Sequence, residues 1–325
     1  MLLLSMFGNA NEGLLFALFG AIIILFLIID LGVFNKKAHS ISTKSALYQS
    51  IFWVAISMVF GYLIYAYDGG TEPSLEFFSA YLTEYALSVD NIFVILIILR
   101  YFRVDEKYYH NILFWGILGA LVFRAIFIFL GAYLVEQFHW ILYFFGVFLM
   151  YSGIKIFFED DSNEIDPGNN PILKFSRKYL RIINGDYGGK FAIRKDGTLY
   201  FTSLFLVIIL IETTDLIFAV DSIPAAFAIT QNEFLIYTSN IFAVLGLRAK
   251  FFLLAGIIDK FYLLQRGLSL ILIFIGAKML LEIFSIEIST AVSFIVIIST
   301  LTGSIVMSLI IPEKKTEKAG TTGAE

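Results

Sequence analysis

Lysine and arginine occupy only every second gap between long apolar runs, and this alternation constrains the fold more than any other feature of the chain. A bilayer-crossing helix needs about 20 apolar residues, and the loops on the cytoplasmic face collect the basic side chains. Nine such runs can be read, at 14–34, 46–66, 76–99, 111–135, 139–158, 199–223, 234–258, 262–284 and 288–311. Lys36, Lys37 and Lys44 follow the first run, and Arg100, Arg103 and Lys107 follow the third. A basic stretch from Lys174 to Lys195 follows the fifth, Lys260 and Arg266 follow the seventh, and Lys314, Lys315 and Lys318 follow the ninth. The intervening gaps, around Asp68, Glu136, Glu233 and Glu287, hold none. The pattern predicts an all-α, polytopic transmembrane helix bundle of about nine spans, N-terminus outside and C-terminus inside, multi-pass in the cell's inner (plasma) membrane. The start of the chain lacks the basic region of a cleaved signal peptide, so the first run is read as a permanent helix.

Only 15% of the residues are charged, against about a quarter in soluble domains. No basic patch interleaved with aromatics is present, so nucleic acid binding has no support. There is no cysteine, which excludes disulfides, thiolate metal sites and thiol catalysis. The three histidines, His39, His110 and His139, sit at the edges of apolar runs. A site in the membrane core is therefore expected to use oxygen ligands, which argues against most zinc and copper chemistry.

The chain reads as one membrane domain, 1–325, with two leading helices over 14–66 and a final helix over 288–311. Between them, 76–158 resembles 199–284. Asp90-Asn91-Ile92-Phe93 matches Asp215-Leu216-Ile217-Phe218, and Arg124-Ala125-Ile126-Phe127 matches Arg248-Ala249-Lys250-Phe251. Gly153-Ile154-Lys155 with Glu159 matches Gly276-Ala277-Lys278 with Glu282, at nearly the same offset. Spans 3–5 thus look like a copy of spans 6–8, displaced by an odd number of spans and so inserted upside down. Inverted repeats with a site at their interface are a recurring transporter design. The segment 159–198 reads as a polar cytoplasmic loop whose basic amphipathic stretch, Ile172 to Ile183, would lie on anionic lipid, and 312–325 reads as a disordered tail.

The third and sixth runs carry the polar residues. Glu84, Ser88 and Asn91 fall at i, i+4 and i+7 on one helix face, with Asp90 beside it. Glu212 and Asp215 are at i, i+3, and Asp221, Ser222 and Pro224 follow. A carboxylate at a helix centre costs about 2.5–3.5 kcal/mol to insert, so these acids must face one another, water or a cation. On a straight helix Asp221 points away from Glu212, and Pro224 suggests a kink or unwound turn near Ser222 that would swing it inward and free backbone carbonyls. Carboxylate, amide and hydroxyl oxygens suit hard cations: magnesium, calcium or manganese. The carboxylates Glu84, Asp90, Glu212, Asp215 and Asp221 are the expected metal site, with metal entry releasing protons. The competing reading pairs these acids with Arg124, Arg248, Lys155, Lys250 or Lys278; Arg124 lies deep enough to need an acidic partner. Asp30 reads equally as interface anchor or gate, and Asn240 as a helix-packing amide first and a ligand second.

The strings from Glu84 to Asn91 and from Glu212 to Pro224 resemble the two signatures of the TerC family, as do Thr238-Ser239-Asn240 and Leu245-Gly246-Leu247-Arg248-Ala249. The resemblance covers nearly the whole chain, with the Alx-like members most similar. It implies a manganese exporter concerned with metal homeostasis and alkaline pH, in which Glu84, Asp90, Asn91, Glu212, Asp215, Asp221 and Ser222 are the ion ligands. The expected function is secondary transport of divalent cations outward, Mn²⁺ first and Ca²⁺ as the alternative, with protons as the candidate counter-ion. No G-x-x-x-x-G-K-[ST] sequence is present to bind a nucleotide. An intramembrane acid–base hydrolase and a non-transporting, metal-dependent membrane scaffold stand as the other readings. Neither an enzyme activity nor a prosthetic group is expected.

Overall fold

The computed structural model describes residues 19–23, 25, 43–67, 70–138, 140–158, 171–183, 185–195, 197–255, 263–284, 286 and 288–311, with backbone alone for 43, 67, 90 and 172. Most of the first expected span, Asp30, and the tail 312–325 lie outside the described residues.

The chain is a helical bundle. Helices α1 (Thr43–Tyr67), α2 (Thr71–Tyr101), α3 (Tyr109–Gln137) and α4 (Ile141–Phe158) precede a small cap. The cap holds α5 (Pro171–Tyr179) and strands β1 (Ile182–Ile183), β2 (Ala192–Lys195) and β3 (Thr198–Thr202). Then come α6 (Ser203–Ile229), α7 (Glu233–Leu245), α8 (Leu247–Leu254), α9 (Leu264–Leu281) and α10 (Thr290–Ile310). Seven of the described helices are long and apolar enough to cross a membrane.

The ends of these helices follow local chemistry. Asn232 caps α7, its side-chain oxygen accepting from the amides of Phe234 and Leu235, and Ser289 caps α10 through the Val292 amide. Two expectations change. The seventh run is not one helix: it breaks at Gly246 into α7 and α8, of 13 and 8 residues. No unwound turn forms at Pro224: α6 continues as helix through it to Ile229. Every residue from Ser222 to Thr230 is buried, so surrounding helices hold the turn that proline would otherwise loosen.

Helix α2 packs on α6 and α7, α3 on α6 and α7, and α4 on α9. The α4–α9 crossing is the tightest. A methyl group on Gly276 would lie 2.6 Å from the Gly146 carbonyl oxygen, and one on Gly153 would lie 2.8 Å from that of Ser269. Small residues let backbones approach this closely, where dispersion rather than a hydrophobic drive holds membrane helices together. Phe19, from the first expected span, packs among Phe60, Phe234, Tyr237 and Phe242.

The described residues of the expected polar loop form the cap. Its sheet runs β1-β3-β2, parallel between β1 and β3 and antiparallel between β3 and β2. In α5, Leu173 and Ser176 are buried while Phe175 and Tyr179 face outward, so the amphipathic stretch is a helix followed by a strand. Asp186 joins the cap to the start of α3, accepting from Tyr108 Oη at 2.5 Å and Lys107 Nζ at 3.2 Å. The Tyr108 hydroxyl, then the Gly188 amide and Lys107, hold its carboxyl below the usual carboxylate range.

Candidate cation site

Helices α2 and α6 bring the two polar strings together around one arginine. Arg124, on α3, is 1% exposed. Its Nη2 and Nε donate to the two oxygens of Asp215 at 3.0 and 3.3 Å. Its Nη1 donates to Glu84 Oε1 and, at 2.9 Å, to Asn240 Oδ1. Asn91 Nδ2 donates to Asp215 Oδ1 at 2.6 Å. The i, i+4, i+7 face of α2 is thus the face that meets α6, and the arginine needed an acidic partner and has two.

Several oxygens remain unused. Asn91 Oδ1 and Glu212 Oε2 are buried with no hydrogen-bond partner, and so is Ser222 Oγ. Buried polar atoms are rarely left so, and each calls for a partner or a role. Asn91 and Asp215 line a cavity of about 10 Å³, with Gly116, Ala120, Ile211 and Val244 among its walls. That volume admits roughly one water-sized body. Glu212 leans on α3, where Gly119 leaves room for its carboxylate: a methyl there would collide with it.

Lys250 adds a second buried cation beside this cluster. The break at Gly246 frees the Ala243 carbonyl, and Lys250 Nζ reaches back to it at 3.0 Å, as lysines do at helix C-termini. Lys250 also donates to Ser88 Oγ at 2.6 Å and lies 3.8 Å from the centre of the Tyr85 ring. A basic residue was foreseen as a partner for the acids; its contacts are instead a hydroxyl, a carbonyl and an aromatic face.

The seven residues expected as ligands do not form one cluster. Glu84, Asn91 and Asp215 meet around Arg124, and Glu212 lies one helical turn before Asp215. Asp221 does not swing inward: its Oδ1 accepts from Ser152 Oγ of α4 at 2.9 Å. It stands about 9 Å further along α6 than Asp215, at 1.5 Å per residue. Ser222 is buried without a partner, and the side chain of Asp90 lies outside the described residues. Among the described residues, no three carboxylate or imidazole side chains gather closely enough to hold a metal. Asn240, read as a packing amide, is a direct partner of Arg124. Sequence reasoning also missed Glu76, which accepts from Thr230 Oγ1 at 2.6 Å and joins the start of α2 to the end of α6.

Comparison with known proteins decides the family. The model of the integral membrane protein TerC family matches residues 69–316. This chain belongs to the TerC family. An uncharacterized membrane protein of Myxococcus xanthus is 42% identical over 319 residues, 98% of each chain. An uncharacterized membrane protein of Rickettsia felis is 44% identical over 293 residues, covering 90% of this chain and 96% of that one. Alx of Escherichia coli (strain K12), provisionally named a membrane-bound redox modulator, is 42% identical over 304 residues, 90% of this chain and 94% of its own. No solved structure matches. The TerC match spans α2 to α10, and so contains every residue of the site described above.

Proposed function

We propose that this TerC-family chain is a secondary transporter that carries divalent cations, Mn²⁺ foremost and Ca²⁺ as the alternative, outward between α2 and α6. One observation carries the reading. Asn91, 2% exposed, presents an unpartnered carbonyl oxygen beside Asp215 at a cavity, with the free Glu212 oxygen on the same helix as Asp215. Hard cations take oxygen ligands of this kind, and a chain without cysteine offers no softer ones.

Two further features support transport. Discontinuous helices line ion pathways in transporters, and α7–α8 is discontinuous at Gly246, where the freed Ala243 carbonyl is held by Lys250. The halves also contact each other reciprocally. Gly153 and Gly276 are 123 residues apart (276 − 153), as are Gly146 and Ser269 (269 − 146). Gly276 rests on the carbonyl of Gly146, and Gly153 rests on the carbonyl of Ser269. A two-fold relation between inverted repeats requires that exchange. Alx carries a redox name, but any redox role for the present chain would have to proceed without thiols.

The test is ⁵⁴Mn²⁺ flux in proteoliposomes containing this protein alone, with a pH probe inside. Wild-type protein moves the ion, and Glu212→Gln and Asp215→Asn variants that insert normally slow it. Equal flux in wild type, variants and protein-free vesicles defeats the proposal.

A further inference from the structure

We infer that Arg124 is the counter-cation of the unloaded carrier, and that its guanidinium and the transported divalent cation take turns on Glu84 and Asp215. This rests on the transport reading above and adds how the site empties and returns.

The geometry separates the arginine from the carboxylates it serves. Glu84 and Asp215 belong to α2 and α6, whereas Arg124 comes from a third helix, α3. Its Nε, Nη1 and Nη2 make four hydrogen bonds, to Asp215, Glu84 and Asn240. A guanidinium has donors only, in a rigid fork, and this fork leaves Asn91 Oδ1 and Glu212 Oε2 without partners. A metal ion has no fork. It gathers six or more oxygens around a point, and Asn91, bonded to Asp215, holds an unused oxygen beside the carboxylate that the arginine grips, with Glu212 one helical turn from Asp215. Arginine therefore satisfies the charge of the pair but not its full set of acceptors, as a stand-in for the cargo would.

Charge makes the exchange necessary. A carrier must cross its cycle empty as well as loaded, and two bare carboxylates in a dry interior resist that step. With Arg124 in place the empty site is paired. Glycines bring the α3 backbone close against α6: a methyl on Gly116 would lie 3.3 Å from Ile211, and one on Gly131 would lie 2.9 Å from Phe227. In both cases the side-chain atoms of α6 already fill the space beside the α3 backbone.

The experiment compares two modes of ⁵⁴Mn²⁺ movement through the full-length protein in proteoliposomes. Exchange, with Mn²⁺ on both sides, needs only loaded crossings; net flux, with Mn²⁺ on one side, needs the empty return. With saturating Mn²⁺ on both sides, Arg124→Gln still exchanges, and its ratio of net flux to exchange falls by about a hundredfold or more, as expected when a buried ion pair loses one partner. Arg124→Lys, which keeps a charge but not the fork, keeps exchange and shows a smaller loss of net flux, and serves if the glutamine variant does not fold. Unchanged net flux in a folded variant overturns the inference, and so does loss of both modes together, which marks Arg124 as merely structural. Wild-type protein that moves no Mn²⁺ in either mode instead removes the transport reading, and the inference with it.

Discussion

Replacing Gly276 by alanine should separate α4 from α9. The added methyl lands 2.6 Å from the Gly146 carbonyl oxygen and 2.8 Å from the Met150 amide nitrogen, where ordinary contact begins at 3.4 Å. Both obstacles are backbone atoms, so no side chain can rotate away, and the helices must part by about 0.8 Å (3.4 − 2.6). Overpacking of this kind costs about 1–3 kcal/mol. Alanine also gains about 1 kcal/mol of helix propensity over glycine, which hides part of the loss. Gly303→Ala on α10 carries the same gain with nothing within 4 Å of its methyl, and so serves as the reference. The difference between the two variants isolates packing, and it should be about 1–3 kcal/mol against Gly276→Ala. Reversible unfolding of the solubilised protein in mixed micelles, followed by circular dichroism, measures it. Equal stability of the two variants would refute the close crossing.

Gly119→Ala meets only the end of the flexible Glu212 side chain, so stability should change by less than about 0.5 kcal/mol while the apparent Mn²⁺ affinity, from flux titration, drops roughly tenfold. Lys250→Met leaves the Ala243 carbonyl and Ser88 hydroxyl without their donor, and unfolding should show a loss of about 1–3 kcal/mol. The Asp186 carboxyl, held below its ordinary value of 3.8, steadies the cap above that pH and stops doing so as pH falls through the lower folded value. Hydrogen exchange at the Gly188 amide, corrected for the intrinsic pH effect, should stay protected down to about pH 4 in wild type and be fast throughout in Asp186→Ala, which lacks the acceptor.

What the sequence revealed is what membranes enforce strongly. Apolar length and basic loops were legible because a misplaced charge is costly, and the loops read as sharing a side do meet, through Lys107 and Asp186 at one end and Glu76 and Thr230 at the other. The convergence of Glu84 and Asn91 on Asp215 followed from helical spacing and from the need of buried acids for company. The break at Gly246 was hidden, because a glycine within an apolar run does not say whether its neighbours will hold the helix together. Pro224 misled for the same reason in reverse: the burial of the turn around it lies in tertiary packing. The reach of Lys250 to the freed Ala243 carbonyl depends on that break, so spacing alone could not foresee it. Nor does any local pattern in 159–198 announce a three-stranded sheet, whose strands are 2, 4 and 5 residues long.

The central claim, that oxygens of α2 and α6 receive a divalent cation where Arg124 now sits, is tested most directly by anomalous X-ray scattering from crystals grown with Mn²⁺. A manganese peak within coordination distance of Asp215 and Asn91, with the Arg124 guanidinium withdrawn from Asp215, is the predicted result. A map with no peak between these helices, or a peak elsewhere while Arg124 still grips both carboxylates, would contradict it.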